Sequence, residues 1–301
     1  VGAIFSNCDI LACLTVAQWI TKISTFKHMK QFTTFLTATA ISLGGAQAAA
    51  TFNNLLALYE FNGDTSDSSS NSATGTLTDG AVISADGTGY SGAAGDSALD
   101  LGASGGSARS VSTVDLSSSM ANNALAVSFW QYDIGNGAGG NVSTTTFGIV
   151  DGGTGRGFGA HTPWGNGILY FDHAGCCNPP QRLTVNDIGT SLLDSWHHIV
   201  LQVDNGNKQI WVDGVMRAEQ ATGAAAIADL TGIVNVGAQY DDTVSFGGRV
   251  DEFAIWDAAL DQTQIEALAG GASTLQVVGI PEPSSGLLVL LGSLMIARRR
   301  R

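Results

Sequence analysis

The chain has 301 residues and a formal net charge of −13, and residues 49–280 are more acidic still, with 24 Asp and Glu against six Lys and Arg. Such a surface repels phosphate backbones and excludes nucleic acid as a partner. Four cysteines in a chain of this length exclude a disulfide-stapled mini-domain, and the length suits one substantial domain between flanking segments.

Residues 1–28 begin at Val1 and carry Cys8 and Cys13 in no recognisable pattern. They read as an upstream extension ahead of a true start at Met29, or as a long leading region of a signal. From Met29 the sequence MKQFTTFLTATAISLGGAQAAA has the order of a secretory signal over 29–48. Lys30 supplies the basic start, an apolar middle follows, and Ala46-Gln47-Ala48 forms the cleavage site.

From 49 to 274 glycine and short polar turns punctuate runs of strand character. Strands are expected over 55–61, 97–102, 124–132, 145–151, 167–173, 196–204, 208–214, 232–238 and 248–257. Many short strands with Gly, Asn and Asp turns predict an all-β sandwich. One helix is expected over 260–270, with Asp261 as N-cap, Gln264 three residues on and Gly270 after the last apolar position. His197 and His198 are neighbours on one strand, so one faces inward and the other outward. Trp130, Trp196, Trp211 and Trp256 read as sandwich core or rim.

The stretch GAHTPWGNGILYFDHAGCCNPPQR gathers His161, Trp164, Tyr170, Asp172, His173 and Arg182 around a cysteine pair. Aromatic rings that stack on sugars, beside an acid and a base that hydrogen-bond hydroxyls, are what a carbohydrate site needs. The ligand-binding set is therefore His161, Trp164, Tyr170, Asp172 and Arg182, and the other reading makes the aromatics core or hairpin residues. Cys176 and Cys177 are adjacent. Neighbouring Cα atoms are about 3.8 Å apart, below the ~4.4–6.8 Å of ordinary bridged cysteines, so a bond forces an eight-membered ring and a tight turn. The choice is between that rigid ring, set as a floor beneath a ligand, and two free thiols.

No zinc-type spacing and no G-x-S-x-G elbow is present. A glycosidase needs two carboxylates flanking one sugar. Between 49 and 280 there are four glutamates, Glu60, Glu219, Glu252 and Glu266, and none forms an E-x-D-x-E pattern. A non-enzyme is expected.

The tail begins at 275 as a linker and continues with Pro281, Glu282 and Pro283, a charge-free run over 284–297, and Arg298, Arg299, Arg300 and Arg301. A short apolar run stopped by arginines reads as a transmembrane anchor with a cytoplasmic C-terminus, the bland reading being a terminal core helix. The order of parts resembles the PEP-CTERM sorting signal of Gram-negative bacteria. That resemblance implies processing by an exosortase, transient anchoring in the inner membrane, and release or transfer at the cell surface.

Three further blocks are familiar: LLALYEFNGDTSDSSSNSATGTL, SWHHIVLQVDNGNKQIWVDGVM and GGRVDEFAIWDAALDQTQIEAL. In this order they resemble the opening, the central hairpin and the closing strand of LamG-like domains. The resemblance implies a concanavalin A-like jelly roll of two antiparallel sheets, with the first and last strands adjacent. It also implies a Ca²⁺ site joining the first strand region to an Asp on the last strand. Asp251 matches that strand position and Asp64 and Asp67 are the partners, unless those two merely close Asx-turns. The expectation is an exported, non-catalytic LamG-like domain that binds a carbohydrate, extracellular-matrix polymer or partner protein. A ligand-free structural matrix component and a glycoside hydrolase of the same fold are the alternatives.

Overall fold

The computed structural model describes residues 49–279, apart from 104–109, 114, 117–122, 137, 152–155, 222–229 and 240–243. The upstream extension, the signal segment, the Pro281-Glu282-Pro283 motif, the apolar run 284–297 and the four arginines lie outside the described residues. Among the described residues no helix is long and apolar enough to cross a membrane.

The described strands, in chain order, are β1 (Leu55–Tyr59), β2 (Thr76–Thr78), β3 (Val82–Ile83), β4 (Leu99–Gly102), β5 (Ser110–Ser112), β6 (Ala124–Asp133), β7 (Phe147–Asp151) and β8 (Phe158–His161). They continue with β9 (Leu169–His173), β10 (Arg182–Val185), β11 (Trp196–Asp204), β12 (Asn207–Val212), β13 (Val215–Ala221), β14 (Leu230–Val236) and β15 (Gly248–Trp256). Two short helices follow, α1 (Gln262–Ala269) and α2 (Thr274–Val277).

The strands form two antiparallel sheets in a jelly-roll-like sandwich. One sheet runs β13-β12-β11-β6-β15-β4-β3 with β1 paired to β15, and the other runs β10-β9-β8-β7-β14-β5-β2. The pairing of β1 with β15 places the first and last strands side by side.

Alternation explains why these segments are strands. On β6, Leu125, Val127 and Phe129 enter the core between the sheets, while Ala126, Ser128 and Trp130 take the opposite face. On β11, Ile199, Leu201 and Val203 join the same core. Its centre is aromatic, with Phe129 stacked on Phe253 at 5.7 Å and Phe147 edge-on to both at 5.8 and 5.6 Å.

On β15 the inward residues are Val250, Phe253 and Ile255, and a spacing of three breaks the strand period. A bulge between Asp251 and Ala254, with Glu252 at φ 48°, absorbs one residue and restores the phase. Without it a one-residue slip would turn Phe253 and Ile255 out of the core.

The outer face of the β1-containing sheet is closed by α1. Ile265 and Leu268 pack with Leu55, Ala126, Val200, Trp211, Ala254 and Trp256. The helix starts where its capping box lies: Asp261 accepts from Gln264 N at 2.8 Å and Gln264 Oε1 accepts from Asp261 N at 3.1 Å. Gln264 also exchanges two hydrogen bonds with the Ala50 backbone, at 2.9 and 2.8 Å, which fastens the start of the domain to its end.

Candidate functional site

The sequence-predicted cluster lies on the outer face of the second sheet. Phe171 and Leu183 enter the core, so their neighbours Tyr170, Asp172 and Arg182 point outward. His161, opposite Tyr170 on the neighbouring strand, shares that outer face.

The five residues touch in sequence. His161 meets Trp164 edge-to-face at 4.5 Å and Tyr170 at 6.2 Å. The Arg182 guanidinium lies over the Tyr170 ring at 4.3 Å and grips Asp172 with two bonds, Nε to Oδ1 at 2.6 Å and Nη2 to Oδ2 at 2.5 Å. Asn166 Nδ2 donates to the Tyr170 hydroxyl at 2.8 Å. Burial lowers the His161 pKa to about 4, so the ring is neutral at pH 7. Its Nδ1 donates to the Thr144 carbonyl at 2.8 Å, which leaves Nε2 as the acceptor.

The loop bearing Trp164 is held from inside the sandwich. Gln131 on β6 donates through Nε2 to the Thr162 carbonyl at 2.7 Å and accepts from the Thr162 hydroxyl at 2.5 Å. The turn then closes on itself through Trp164 N to Ile168 O at 2.9 Å.

Three features were beyond the reach of the sequence. Arg156, just before β8, places Nη1 3.4 Å from Asp172 Oδ2 and Nη2 3.5 Å from Gln239 Oε1. Gly148 and Gly159 face each other across β7 and β8. Together with His161, Asp172 and Gln239 they line a shallow open groove. The glycine pair forms its floor, and a Cβ on Gly159 would lie 2.8 Å from the Phe147 carbonyl. Arg156, Gly159 and His161 are close in sequence, but Gly148, Asp172 and Gln239 join them only through the fold of the sheet, so no local motif marks the set.

His173 does not belong to the outward cluster. It alternates with Asp172, packs against Phe158 at 5.9 Å inside the sandwich, and has its pKa pushed down to about 4 by burial and the nearby Lys208. Cys176 and Cys177 are joined by a disulfide in the turn between β9 and β10. Trp164 sits in the turn at the other end of β9, which at ~3.3 Å per residue is over 10 Å away, so the ring is no floor beneath it. The ring's neighbours are instead the arginines: Gly175 N donates to the Arg156 carbonyl at 2.8 Å and Arg182 N to the Asn178 carbonyl at 3.0 Å.

The carboxylates proposed for Ca²⁺ do not fit the ion as placed. Asp67 is occupied by the Leu58, Ser69 and Ala73 amides, and Asp64 closes an Asx-turn on Ser66 N at 2.8 Å. Asp251 is fully buried and accepts from Tyr90 N and Glu252 N, both at 2.9 Å. Its pKa is pushed up to about 8, first by burial and then by Asp96 and Glu60. Among the described residues no group of three or more His, Cys, Asp or Glu is arranged to hold a metal ion.

His198 is 2 % exposed and packs against Trp130 at 5.2 Å. His197 is half-buried and bridges Ser195 Oγ and Asp213 Oδ2, each at 2.8 Å, which pins the start of β11 to the turn after β12. Trp211 and Trp256 are buried under α1, whereas Trp130 and Trp196 are half-buried on the uncovered end of that face.

Among solved structures, domain 4 of AbnA, a GH43 extracellular arabinanase from Geobacillus stearothermophilus in complex with arabinotriose, superposes with a TM-score of 0.53. The identity is 24%, over 74% of this chain and 100% of that one. The binding domain of botulinum neurotoxin DC in complex with SialylT gives a TM-score of 0.52 at 13% identity, over 74% of this chain and 53% of that one. The same domain in complex with rat synaptotagmin II gives 0.53 at 14%, over 75% and 53%. The chain thus spans about half the length of the neurotoxin chains, and at these identities the likeness is one of fold. No curated protein matches the chain. The profile of the concanavalin A-like lectin/glucanases superfamily matches residues 104–266, more than half of the sequence. With β1 beside β15 and two antiparallel sheets closed around one core, the chain belongs to the concanavalin A-like lectin/glucanase superfamily.

Proposed function

We propose that this domain is an exported, non-catalytic glycan-binding module that acts at the cell surface or in an extracellular matrix. The observation that carries this reading is the groove on the outer face of the second sheet. Polar groups converge there on a glycine floor, and His161 on its wall touches both Trp164 and Tyr170. A floor without side chains lets a flat ring approach the backbone, aromatic rings give a sugar a stacking face, and the fixed Asp172–Arg182 pair orients hydroxyls. The complexes of fold neighbours with arabinotriose and SialylT support a sugar as the ligand class.

A glycan array probed with the purified protein is expected to give specific hits. Trp164→Ala is expected to weaken binding to the best hit about tenfold through loss of one stacking face, while the melting temperature stays within a few degrees of wild type. An array without hits, together with self-assembly into larger species, favours the structural matrix role. Sugar release from a polysaccharide panel favours a hydrolase.

The sorting signal that the tail resembles supports export and exosortase processing, with the inner membrane as a transient partner. Intact-mass measurement of the protein secreted by its native cell is expected to show a start near Ala49 and loss of the segment after Pro283. A secreted species that retains Arg301 overturns the processing claim.

A further inference from the structure

Only six basic side chains occur between residues 49 and 280, and two of them, Arg156 and Arg182, stand on either side of Asp172 beside the groove. The others that the structure describes are committed. Lys208 is fully buried and donates to the Phe171 and Gln181 carbonyls, Arg217 pairs with Asp187 at 2.9 Å, and Arg249 donates to the Thr88 carbonyl at 2.9 Å.

Arg182 spends its fork on Asp172 and neutralises it. Arg156 is held differently. Its two hydrogen bonds, at 3.4 and 3.5 Å, are the longest made by any arginine side chain among the described residues. A guanidinium carries five donors in one plane, so Arg156 keeps most of its capacity for a bidentate acceptor. It lines the groove, and its side chain is 29% exposed. With His161 neutral, the described charged groups at the groove are two arginines and one aspartate, a net positive set on an otherwise acidic domain.

We infer that the groove selects sugars bearing a carboxylate, with Arg156 as the residue that receives it. This rests on the glycan-binding reading above and narrows it to uronic-type acids. The acidity of the whole domain is not an obstacle at contact range, because exposed charges more than about 8 Å away are largely screened at physiological ionic strength. A carboxylate on Arg156 adds a short, two-pronged ion pair to a guanidinium that now holds only a long ion pair to Asp172 and a long bond to Gln239, and a neutral sugar gains nothing equivalent.

The test uses the purified protein with oligomers of galacturonate and of glucuronate, each as the free acid and as its methyl ester. Esterification removes the charge and keeps the sugar. Wild type is expected to bind the acid at least tenfold more tightly than the ester. Arg156→Gln is expected to bring that ratio within threefold, and Arg156→Lys to leave it in between, since charge remains and the fork is lost. Melting curves of both variants verify that they are folded. Equal binding of acid and ester by wild type, or a ratio that survives in Arg156→Gln, overturns the inference. So does binding of neutral glycans with neither acid nor ester bound, and in these cases the glycan-binding reading stands. An array on which no sugar binds removes that reading, and the inference with it.

Discussion

Asp67→Ala is expected to cost about 3 kcal/mol or more and to lower the melting temperature by roughly 10 °C, with or without calcium. Among the described strands β1 has β15 on one side and none on the other. The loop after it takes the place of a partner. Asp67 Oδ1 accepts from Leu58 N at 2.9 Å and from Ser69 N at 2.8 Å, while Oδ2 accepts from Ala73 N and the Ser69 hydroxyl, both at 2.7 Å. Ser68 N donates back to the Leu58 carbonyl at 2.9 Å, so loop and strand edge are paired in both directions. Leu58 and Ala73 are fully buried, and removal of the carboxylate strands both amides at about 1–3 kcal/mol each. Asp67→Asn retains one acceptor and turns an amide donor toward the other site, so its loss should fall between. Thermal melts in chelator and in millimolar calcium decide the matter. A loss confined to the calcium sample would make Asp67 a ligand, and an Ala variant that melts with wild type would dismiss the edge-closing role.

Asp67 shows where a sequence stops being informative. An acidic turn after a first strand has the composition of a calcium loop and of an Asx-turn alike, and only the positions of the Leu58 and Ala73 amides separate the two. The long central strands were legible because they alternate over nine or ten residues, as in β6 and β11. The helix was legible because Asp261 and Gln264 form a capping box with a local signature. Strands of two to four residues such as β2, β3, β5, β8 and β10 exist through their pairing, with too few residues to show a period. β13 was missed because its sequence, VMRAEQA, lies at an exposed edge and carries no apolar face. The aromatic half of the candidate site was visible because β8, β9 and their turn are consecutive, whereas Arg156 and Gln239 lie outside the strands and Gly148 on β7 meets Gly159 on β8 only through pairing.

Asp251 is expected to pull the stability of the domain down by about 2 kcal/mol between pH 6.5 and 8, a loss that His161, His173, His198 and Lys208 largely offset in wild type. Burial raises its folded pKa to about 8 from 3.8, so the folded state keeps a proton that the unfolded chain releases, and stability is lost as pH rises through that window. Below pH 6.5 the balance reverses. His161, His173 and His198 are all pushed down to about 4 by burial, and the unfolded chain takes up three protons that the folded one refuses. Asp133, raised to about 6 chiefly by burial, opposes them only in part. From about pH 7 upward Lys208, lowered to about 8 from 10.5 by burial, favours the folded state as pH rises. No interval isolates Asp251, whose own contribution is about 1.4 kcal/mol per pH unit up to pH 7, so its effect is read as the difference in slope between wild type and Asp251→Asn. Asp251→Asn lowers stability at every pH, since its amide cannot accept from both Tyr90 N and Glu252 N. The limb due to Asp251 is therefore read as that difference, and melts at half-unit intervals should show the variant gaining stability with pH where wild type stays nearly flat. A cation bound at Asp251 would hold it ionised and erase the same limb in wild type on addition of calcium. A difference unchanged by calcium identifies a buried proton, and an Asp251→Asn variant as flat as wild type assigns the titration to another group.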